Sequence, residues 1–264
     1  MAAALIAGLA NKLTQAADIH VIDPNADALA RLRTQYGVTT AGTIDAMVSG
    51  ADAIVLAVKP QSMREVTAQL LPFVDKLRQP LIVSIAAGIR SADLSRWLGG
   101  YGAIVRCMPN TPALIGMGIT GMVAMAGVSE QQRTFADDIL RAVGATVWLD
   151  DESKIDAVTA LSGSGPAYVF YFIEAMQQAA AELGLSAEQG TQLALATFSG
   201  AAQLAIRSTE PVSLLRERVT SKGGTTYAAL TSMEDSGVKA AIVKAVQAAA
   251  HRGKAMGDEM GAAD

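Results

Sequence analysis

Leu161-Ser-Gly-Ser-Gly-Pro-Ala-Tyr168 divides the chain into two kinds of sequence. Before this stretch, short apolar segments typical of strands alternate with helical segments, whereas only long Ala- and Leu-rich helices are predicted after it. Most residues of this stretch have small side chains or none, so another chain or a bound molecule could come close to its backbone. Pro166 stands where a new helix can begin. The alternative is an ordinary turn between two helices, because Gly and Pro mark turns.

The composition of the 264 residues excludes several classes of protein. Of these residues, 51% are hydrophobic but only 5% are aromatic, which predicts a core of Ala, Leu, Ile, Val and Met. A net charge of −4 offers no basic surface for nucleic acid. No apolar run reaches the roughly 18 residues that a membrane span needs, and we expect neither a membrane partner nor a signal peptide.

Cysteine and histidine are too scarce to build a disulfide framework or a metal centre. Cys107 is the single cysteine and lies in an apolar run, so we expect a buried, inert thiol and a reducing, cytoplasmic environment. His20 and His251 are the two histidines, and they are too scattered for a His-based metal site. We therefore predict no bound metal.

Residues 1–151 are predicted to form a dinucleotide-binding domain of the α/β class. The predicted strands are continuous apolar runs separated by helices, which indicates a parallel sheet covered on both faces. Ser91 is expected to cap the helix that ends at Leu98. The strands are predicted at residues 20–23, 53–57, 81–85, 103–108 and 146–149, with a further extended stretch at 118–126.

Three corners rich in small residues follow strands in this half. Ligands of parallel sheets bind beyond the carboxyl ends of the strands, and small side chains there would let a flat ring lie against the backbone. The corners therefore predict a nucleotide cleft, with ordinary strand-to-helix turns as the alternative. They are Ala57 to Pro60, Ala86 to Gly88, and Met108 to Asn110.

Asp23 ends a predicted strand, at a position that matters in dinucleotide folds. A carboxylate at the end of the second strand of such a fold can hydrogen-bond the adenosine ribose; the alternative is capping of the helix that starts at Ala26. The fold should also open with a strand and a glycine-rich turn for the pyrophosphate, but no G-x-G-x-x-G precedes Asp23. We therefore expect that a strand of about five or six residues and its turn have been cut off ahead of Met1.

Residues 152–264 are predicted to be a helical dimerisation and substrate domain. Several helices are apolar on more than one face, for example at residues 168–181 and 193–206. A helix that is apolar all round must be buried. In a domain of this size a partner chain has to supply the cover, so we expect an obligate dimer with interlocked helices.

The loop from Thr220 to Thr226, Thr-Ser-Lys-Gly-Gly-Thr-Thr, is the best chemical signal in the chain. Its two glycines free the backbone, and the next helix points its N-terminus at the loop. Unpaired amides, the helix dipole, Lys222 and several hydroxyls would make a small pocket for a carboxylate or a phosphate. The alternative is a solvated loop in which Thr225 or Thr226 is a plain N-cap.

Several motifs together resemble pyrroline-5-carboxylate reductase, the last enzyme of proline biosynthesis. Each motif alone is weak, but five in the right order are highly specific, and the resemblance covers nearly the whole chain. The motifs are Ala57-Val-Lys-Pro60, Ser84-Ile-Ala-Ala-Gly88, Arg106-Cys-Met-Pro-Asn-Thr-Pro112, Gly163-Ser-Gly-Pro-Ala-Tyr168 and Val219-Thr-Ser-Lys-Gly-Gly-Thr-Thr226. The family's first strand and its Gly-x-Gly-Asn-Met turn are absent from the sequence.

The resemblance implies a Rossmann-like N-terminal domain, an all-helical C-terminal dimerisation domain, and assembly as homodimers that often join into decamers. It implies reduction of L-1-pyrroline-5-carboxylate to L-proline by NADPH or NADH. By position, the residues that would bind the cofactor are Ala57, Val58, Lys59, Pro60, Ala86, Ala87, Gly88 and Asn110, with Asp23 or Asn25 at the ribose. The residues that would bind the substrate are Ser221, Gly223, Gly224, Thr225 and Thr226, with Glu210 reaching a substrate from the partner subunit.

The implied chemistry needs few reactive side chains. A protonated imine is already a strong electrophile, so hydride transfer needs placement more than an activated nucleophile. Thr226 and Ser221 are the expected catalytic residues, because this loop approaches the ring nitrogen and Thr226 could hydrogen-bond it. Asp23 would repel the 2′-phosphate of NADPH, which leaves the choice between NADPH and NADH open.

Two other functions remain open. One is a related imine reductase or β-hydroxyacid dehydrogenase, which would be expected to carry Lys or Asp on the long helix after Pro166, where this chain offers only Glu174 and Glu182. The other is a helical dimer that does not catalyse, because its phosphate-binding turn is absent.

Overall fold

The computed structural model describes residues 1–74 and 78–262. Their contacts define two compact units. The first contains Met1–Ser164 together with the chain from Ala249 onward, and the second contains Gly165–Ala248.

Within the described residues, the strands of the first unit form two sheets. β1 and β2 make a parallel pair, and β3 to β7 make a five-stranded sheet in chain order. The strands are β1 His20–Ile22, β2 Thr39–Ala41, β3 Ala53–Leu56, β4 Leu81–Ser84, β5 Ile104–Met108, β6 Gly118–Ala124 and β7 Gly144–Trp148. The predicted α/β class is confirmed, and β2 is a strand that the sequence analysis did not predict.

One strand pair departs from the expected parallel arrangement. β3, β4 and β5 are parallel to one another, whereas β6 runs antiparallel to β5. A parallel return needs a crossover of a dozen or more residues. Only a short connection with a 3-10 turn, Thr111–Ile115, separates β5 from β6, so the chain turns directly back.

Helices cover both faces of the five-stranded sheet, as predicted. Leu81 and Val83 of β4 point into a core shared with Leu5 and Leu140, while Ile82 between them points into the opposite core. This alternation follows from the two-residue period of a strand. The helices are α1 Ala2–Leu9, α2 Ala26–Tyr36, α3 Met63–Leu70, α4 Ser91–Trp97, α5 Glu130–Arg141 and α6 Lys154–Val158.

The segment that leads into the stretch 161–168 packs tightly on the sheet. α6 continues into a π-helical turn, Thr159–Gly163. A Cβ atom added at Gly121 would lie 2.7 Å from Val158, and one added at Gly163 would lie 2.7 Å from Met108. Because α6 belongs to the packing of the sheet, the contact-based division lies later in the chain than the boundary predicted between residues 151 and 152.

The second unit consists of helices in its described residues. They are α7 Gly165–Glu182, α8 Ala187–Arg207, α9 Val212–Arg218, α10 Thr225–Asp235 and the first part of α11 Val238–Gly261. Ser186 and Gln189 form the capping box that starts α8. α7 and α8 approach closely at Gly190, where an added Cβ would lie 2.9 Å from that of Ala180.

The outer surfaces of α7 and α8 carry large apolar side chains. Phe170 is 60% exposed and Ile206 is 74% exposed in the single chain. Tyr171, Leu193 and Leu204 are exposed as well. Many large apolar side chains exposed on two neighbouring helices are typical of protein–protein interfaces, which supports the expectation that a second copy covers these helices.

We predict that Phe170→Asp and Ile206→Asp each shift the chain toward the monomer, because a buried carboxylate in an apolar interface is costly to desolvate. Light scattering coupled to size-exclusion chromatography measures the mass directly. Met47→Asp is the control, since Met47 is an exposed apolar residue of the first unit. An unchanged mass in both helical variants would contradict an interface on these surfaces.

Candidate active site

Three predicted corners lie at the same edge of the five-stranded sheet. β3, β4 and β5 are adjacent and parallel, so the residues that follow them are brought together at one end. After β3, Ala57 and Lys59 are exposed and Val58 and Pro60 are half-buried. After β4, Ala86 is buried, while Ala87 and Gly88 are half-buried. This edge is where parallel sheets bind ligands.

Gly88 takes a backbone conformation that favours glycine. Its φ is +77°, in the left-handed region. A Cβ atom placed there would lie 3.6 Å from the Cβ of Met256 in the last part of α11. The corner after β4 is therefore both sharply turned and closely packed.

Asn110 follows β5 and is buried. Both polar atoms of its side-chain amide form hydrogen bonds. Its Oδ1 accepts a hydrogen bond from the Ile119 backbone N–H at 3.0 Å. Its Nδ2 donates to the Ser162 carbonyl at 3.2 Å. Asn110 thus ties the end of β5 to the start of β6 and to the stretch 161–168. Its predicted contact with the cofactor stays a prediction.

Asp23 and Asn25 form the turn between β1 and α2. The Asp23 Oδ1 accepts a hydrogen bond from the Asn25 N–H at 2.8 Å. Asn25 is the N-cap of α2, and its Oδ1 accepts from the Ala28 N–H at 3.0 Å. The alternative that Asp23 caps α2 is therefore wrong, because Asn25 is the cap, while Asp23 follows β1 directly and accepts a hydrogen bond within the turn.

The loop Thr220–Thr226 lies in the second unit and leads directly into α10. Gly223 has a φ of +75°, and the Gly224 N–H donates to the Ser221 carbonyl at 2.9 Å. Gly224 is the N-cap, and Thr225 and Thr226 are the first helical residues. The alternative that either threonine is a plain N-cap is therefore wrong. Within the described residues no side chain caps α10, so the amides of its first turn face the loop.

Glu210 lies just before α9 in the same unit. Its carboxylate pairs with the Arg218 guanidinium at the end of that helix. The Glu210 N–H also donates to the Ser208 Oγ at 3.0 Å. These contacts hold the carboxylate close to the connection that precedes the loop.

The thiol, possible metal sites and possible membrane helices remain to be placed in the structure. Cys107 is buried in β5, and burial raises the pKa of its thiol. In residues 1–74 and 78–262 no group of three or more His, Cys, Asp or Glu side chains could hold a metal ion. None of the helices in these ranges is long and apolar enough to cross a membrane.

One polar cluster near the corner after β4 was not predicted from the sequence. Ser91 is the first residue of α4 rather than its cap, so that prediction is wrong. The Ser91 N–H donates instead to the Glu152 Oε1 at 2.8 Å, and the same oxygen accepts from Arg106 Nη1 at 2.8 Å. A single arginine within the apolar strand β5 is the signal that could have pointed to this cluster.

Comparison with known proteins identifies the family of this fold. A family model described as pyrroline-5-carboxylate reductase dimerisation matches residues 152–256. A pyrroline-5-carboxylate reductase from Pseudomonas aeruginosa is 45% identical over 261 residues, which cover 99% of this chain and 95% of the relative. The chain belongs to the pyrroline-5-carboxylate reductase family.

Other comparisons agree with this family. Residues 1–88 match a model described as NADP oxidoreductase, coenzyme F420-dependent. The solved structure of a pyrroline-5-carboxylate reductase from Coxiella burnetii has a TM-score of 0.90 and 36% identity, covering 97% of this chain and 94% of that one. The enzyme from Plasmodium falciparum, solved with NADP bound, has a TM-score of 0.85 and 30% identity, covering 96% and 93%.

Family membership fixes the class of the protein. Pyrroline-5-carboxylate reductases are NAD(P)H-dependent oxidoreductases of proline biosynthesis, and this chain is an oxidoreductase of that class. It carries the family's dimerisation domain, which supports a homo-oligomer.

We predict that Asn110→Ala lowers the free energy of unfolding by about 2 kcal/mol, because the Ile119 N–H and the Ser162 carbonyl lose their partner in a buried setting. Urea unfolding measures this change. Thr111→Ala is the control, since Thr111 is the exposed neighbour of Asn110. Unchanged stability combined with weaker dinucleotide binding would show instead that the Asn110 amide serves the cofactor directly.

Proposed function

We propose that the chain reduces L-1-pyrroline-5-carboxylate to L-proline by hydride transfer from NADPH or NADH. The observation that carries this proposal is the Thr220–Thr226 loop in front of the first turn of α10, which has amides available for a carboxylate. The chain's membership of the reductase family makes the substrate carboxylate the matching anion. Residues 1–151 serve as the dinucleotide-binding domain and residues 152–264 as the dimerisation and substrate domain.

The substrate carboxylate binds at the start of α10. The N–H groups of Thr225 and Thr226, next to Gly224, lie at the positive end of the helix dipole. Gly223 lets the loop turn tightly enough to bring Ser221 beside these amides. Glu210 reaches the substrate of the partner subunit, with its carboxylate held by Arg218.

Small residues at the edge of the sheet fit a dinucleotide. Ala57 is exposed and Ala87 is half-buried at the carboxyl ends of β3 and β4, and their small side chains leave room for a flat ring. When bound there, NAD(P)H supplies the hydride. Val58, Lys59 and Pro60 line the same edge, and Asp23 and Asn25 lie at the end of β1, where the ribose binds.

The reaction is a two-electron reduction of a protonated imine. The hydride forms the new C–H bond at the imine carbon, and the π electrons of the C=N bond move onto the nitrogen. This neutralises the iminium charge and gives the secondary amine of proline. Thr226 accepts the N–H of the protonated imine through its Oγ1, which keeps the electrophile charged and oriented, and Ser221 supports that position.

The choice of dinucleotide depends on Asp23. The carboxylate at the end of β1 repels a 2′-phosphate, which favours NADH. The solved relative from Plasmodium falciparum has NADP bound, so both dinucleotides remain substrates of the proposed reaction.

The proposed assembly is a homodimer formed by the helical domain, joined further into a decamer. The exposed apolar surfaces of α7 and α8 support the dimer. We also propose a cytoplasmic location, which the single buried thiol of Cys107 supports.

We predict that Thr226→Val lowers kcat/KM for pyrroline-5-carboxylate by about tenfold to a hundredfold, since a hydrogen bond to a charged group contributes about 1.5–3 kcal/mol. Valine keeps the volume and removes the hydroxyl. Thr226→Ser keeps the hydroxyl and is expected to retain most of the activity. Initial rates of NADPH and NADH oxidation provide the measurement.

Thr231→Val serves as the control for this series, because Thr231 is an exposed threonine on the same helix. Its rates should match those of the parent chain. Equal activity of Thr226→Val and the parent would remove Thr226 from the mechanism.

A further inference from the structure

The residues that follow the corner Ala86–Gly88 anchor it to the core and to α4. Ile89 is buried in the core that also contains Ile82 and Leu94. The next two residues, Arg90 and Ser91, begin α4. The backbone of the corner is therefore held between the end of β4 and the first turn of this helix.

The first turn of α4 takes its hydrogen-bond acceptor from a distant part of the chain. N–H groups at a helix start need partners from outside the helix. In the described residues no side chain caps α4 from the N-cap position, which Arg90 occupies. The Ser91 N–H donates to the Glu152 Oε1 at 2.8 Å, across 61 positions of sequence.

Glu152 is held in turn by a buried cation. Arg106 Nη1 donates to the same Oε1 at 2.8 Å, and the Arg106 side chain is 5% exposed. A guanidinium at this depth is costly unless it is paired. Arg106 lies on β5 in register with Ser84, the last residue of β4, so the pair is built into the sheet directly below the corner.

A second contact on the corner is weaker. Arg90 pairs with Asp258 near the end of α11, but both side chains are largely exposed. Exposed ion pairs contribute little to stability. In the pair of Arg106 and Glu152 the guanidinium is buried, with its side chain 5% exposed, while the Glu152 side chain is 31% exposed. This better-shielded pair is therefore the main constraint on the backbone at Ser91.

We propose that Arg106 and Glu152 are positioning residues for dinucleotide binding. Glu152, fixed by the buried guanidinium, holds the Ser91 amide and with it the Ala86–Gly88 corner that receives the nicotinamide. This inference rests on the proposed function, because it requires that the corner binds NAD(P)H. The substrate loop lies in the other compact unit. Loosening the corner therefore weakens dinucleotide binding and leaves the KM for pyrroline-5-carboxylate unchanged.

The test measures the dissociation constants of NADPH and NADH and both KM values in three variants of the full chain. Glu152→Ala is expected to weaken dinucleotide binding about tenfold, because the Ser91 amide loses its charge-assisted hydrogen bond and Arg106 loses its partner. Glu152→Gln keeps an oxygen that can accept from Ser91 and is expected to recover most of the affinity. Arg106→Lys is expected to weaken binding severalfold, because an ammonium group does not reproduce the guanidinium geometry.

Asp150→Ala is the matched control, since Asp150 is an exposed carboxylate two residues before Glu152 that pairs with Lys154. Its affinities should equal those of the parent. Parent-like dinucleotide affinity in a folded Glu152→Ala would overturn the proposal, and so would an equal increase in both KM values. If Glu152→Ala does not fold, parent-like affinity in Arg106→Lys overturns it. A parent chain that binds neither dinucleotide would refute the proposed function itself, and this inference with it.

Discussion

Arg106 brings a positive charge into the interior of the sheet, and a buried guanidinium has to be paired. Its partner is Glu152, whose same oxygen also accepts the first amide of α4. Four residues later, the side-chain amide of Asn110 donates a hydrogen bond to the Ser162 carbonyl. Both polar side chains of this segment therefore connect β5 and the residues after it to the chain that follows residue 151, next to the corners proposed to bind the dinucleotide.

The proposed function relies largely on backbone. The corner after β4 consists of Ala86, Ala87 and Gly88 in the first unit, and the loop before α10 in the second unit precedes a helix start with no side-chain cap. Cys107, the one thiol, is buried in a strand. Such an arrangement suits a reaction in which the substrate is already electrophilic and the protein has mainly to align two molecules.

Local sequence signals predicted most of the elements but not their long-range contacts. The apolar run of β4 depends on neighbouring residues and was predicted as a strand. The antiparallel β6 was not, because strand direction depends on the length of a connection and on pairing across the sheet. Ser91 was predicted as a cap because serine commonly is one. Its actual acceptor, Glu152, is brought close only by the fold.

Reduction of pyrroline-5-carboxylate is tested most directly by measuring proline formation from pyrroline-5-carboxylate with NADH and with NADPH. One proline is expected for each dinucleotide oxidised. No proline with either dinucleotide would contradict the proposed function.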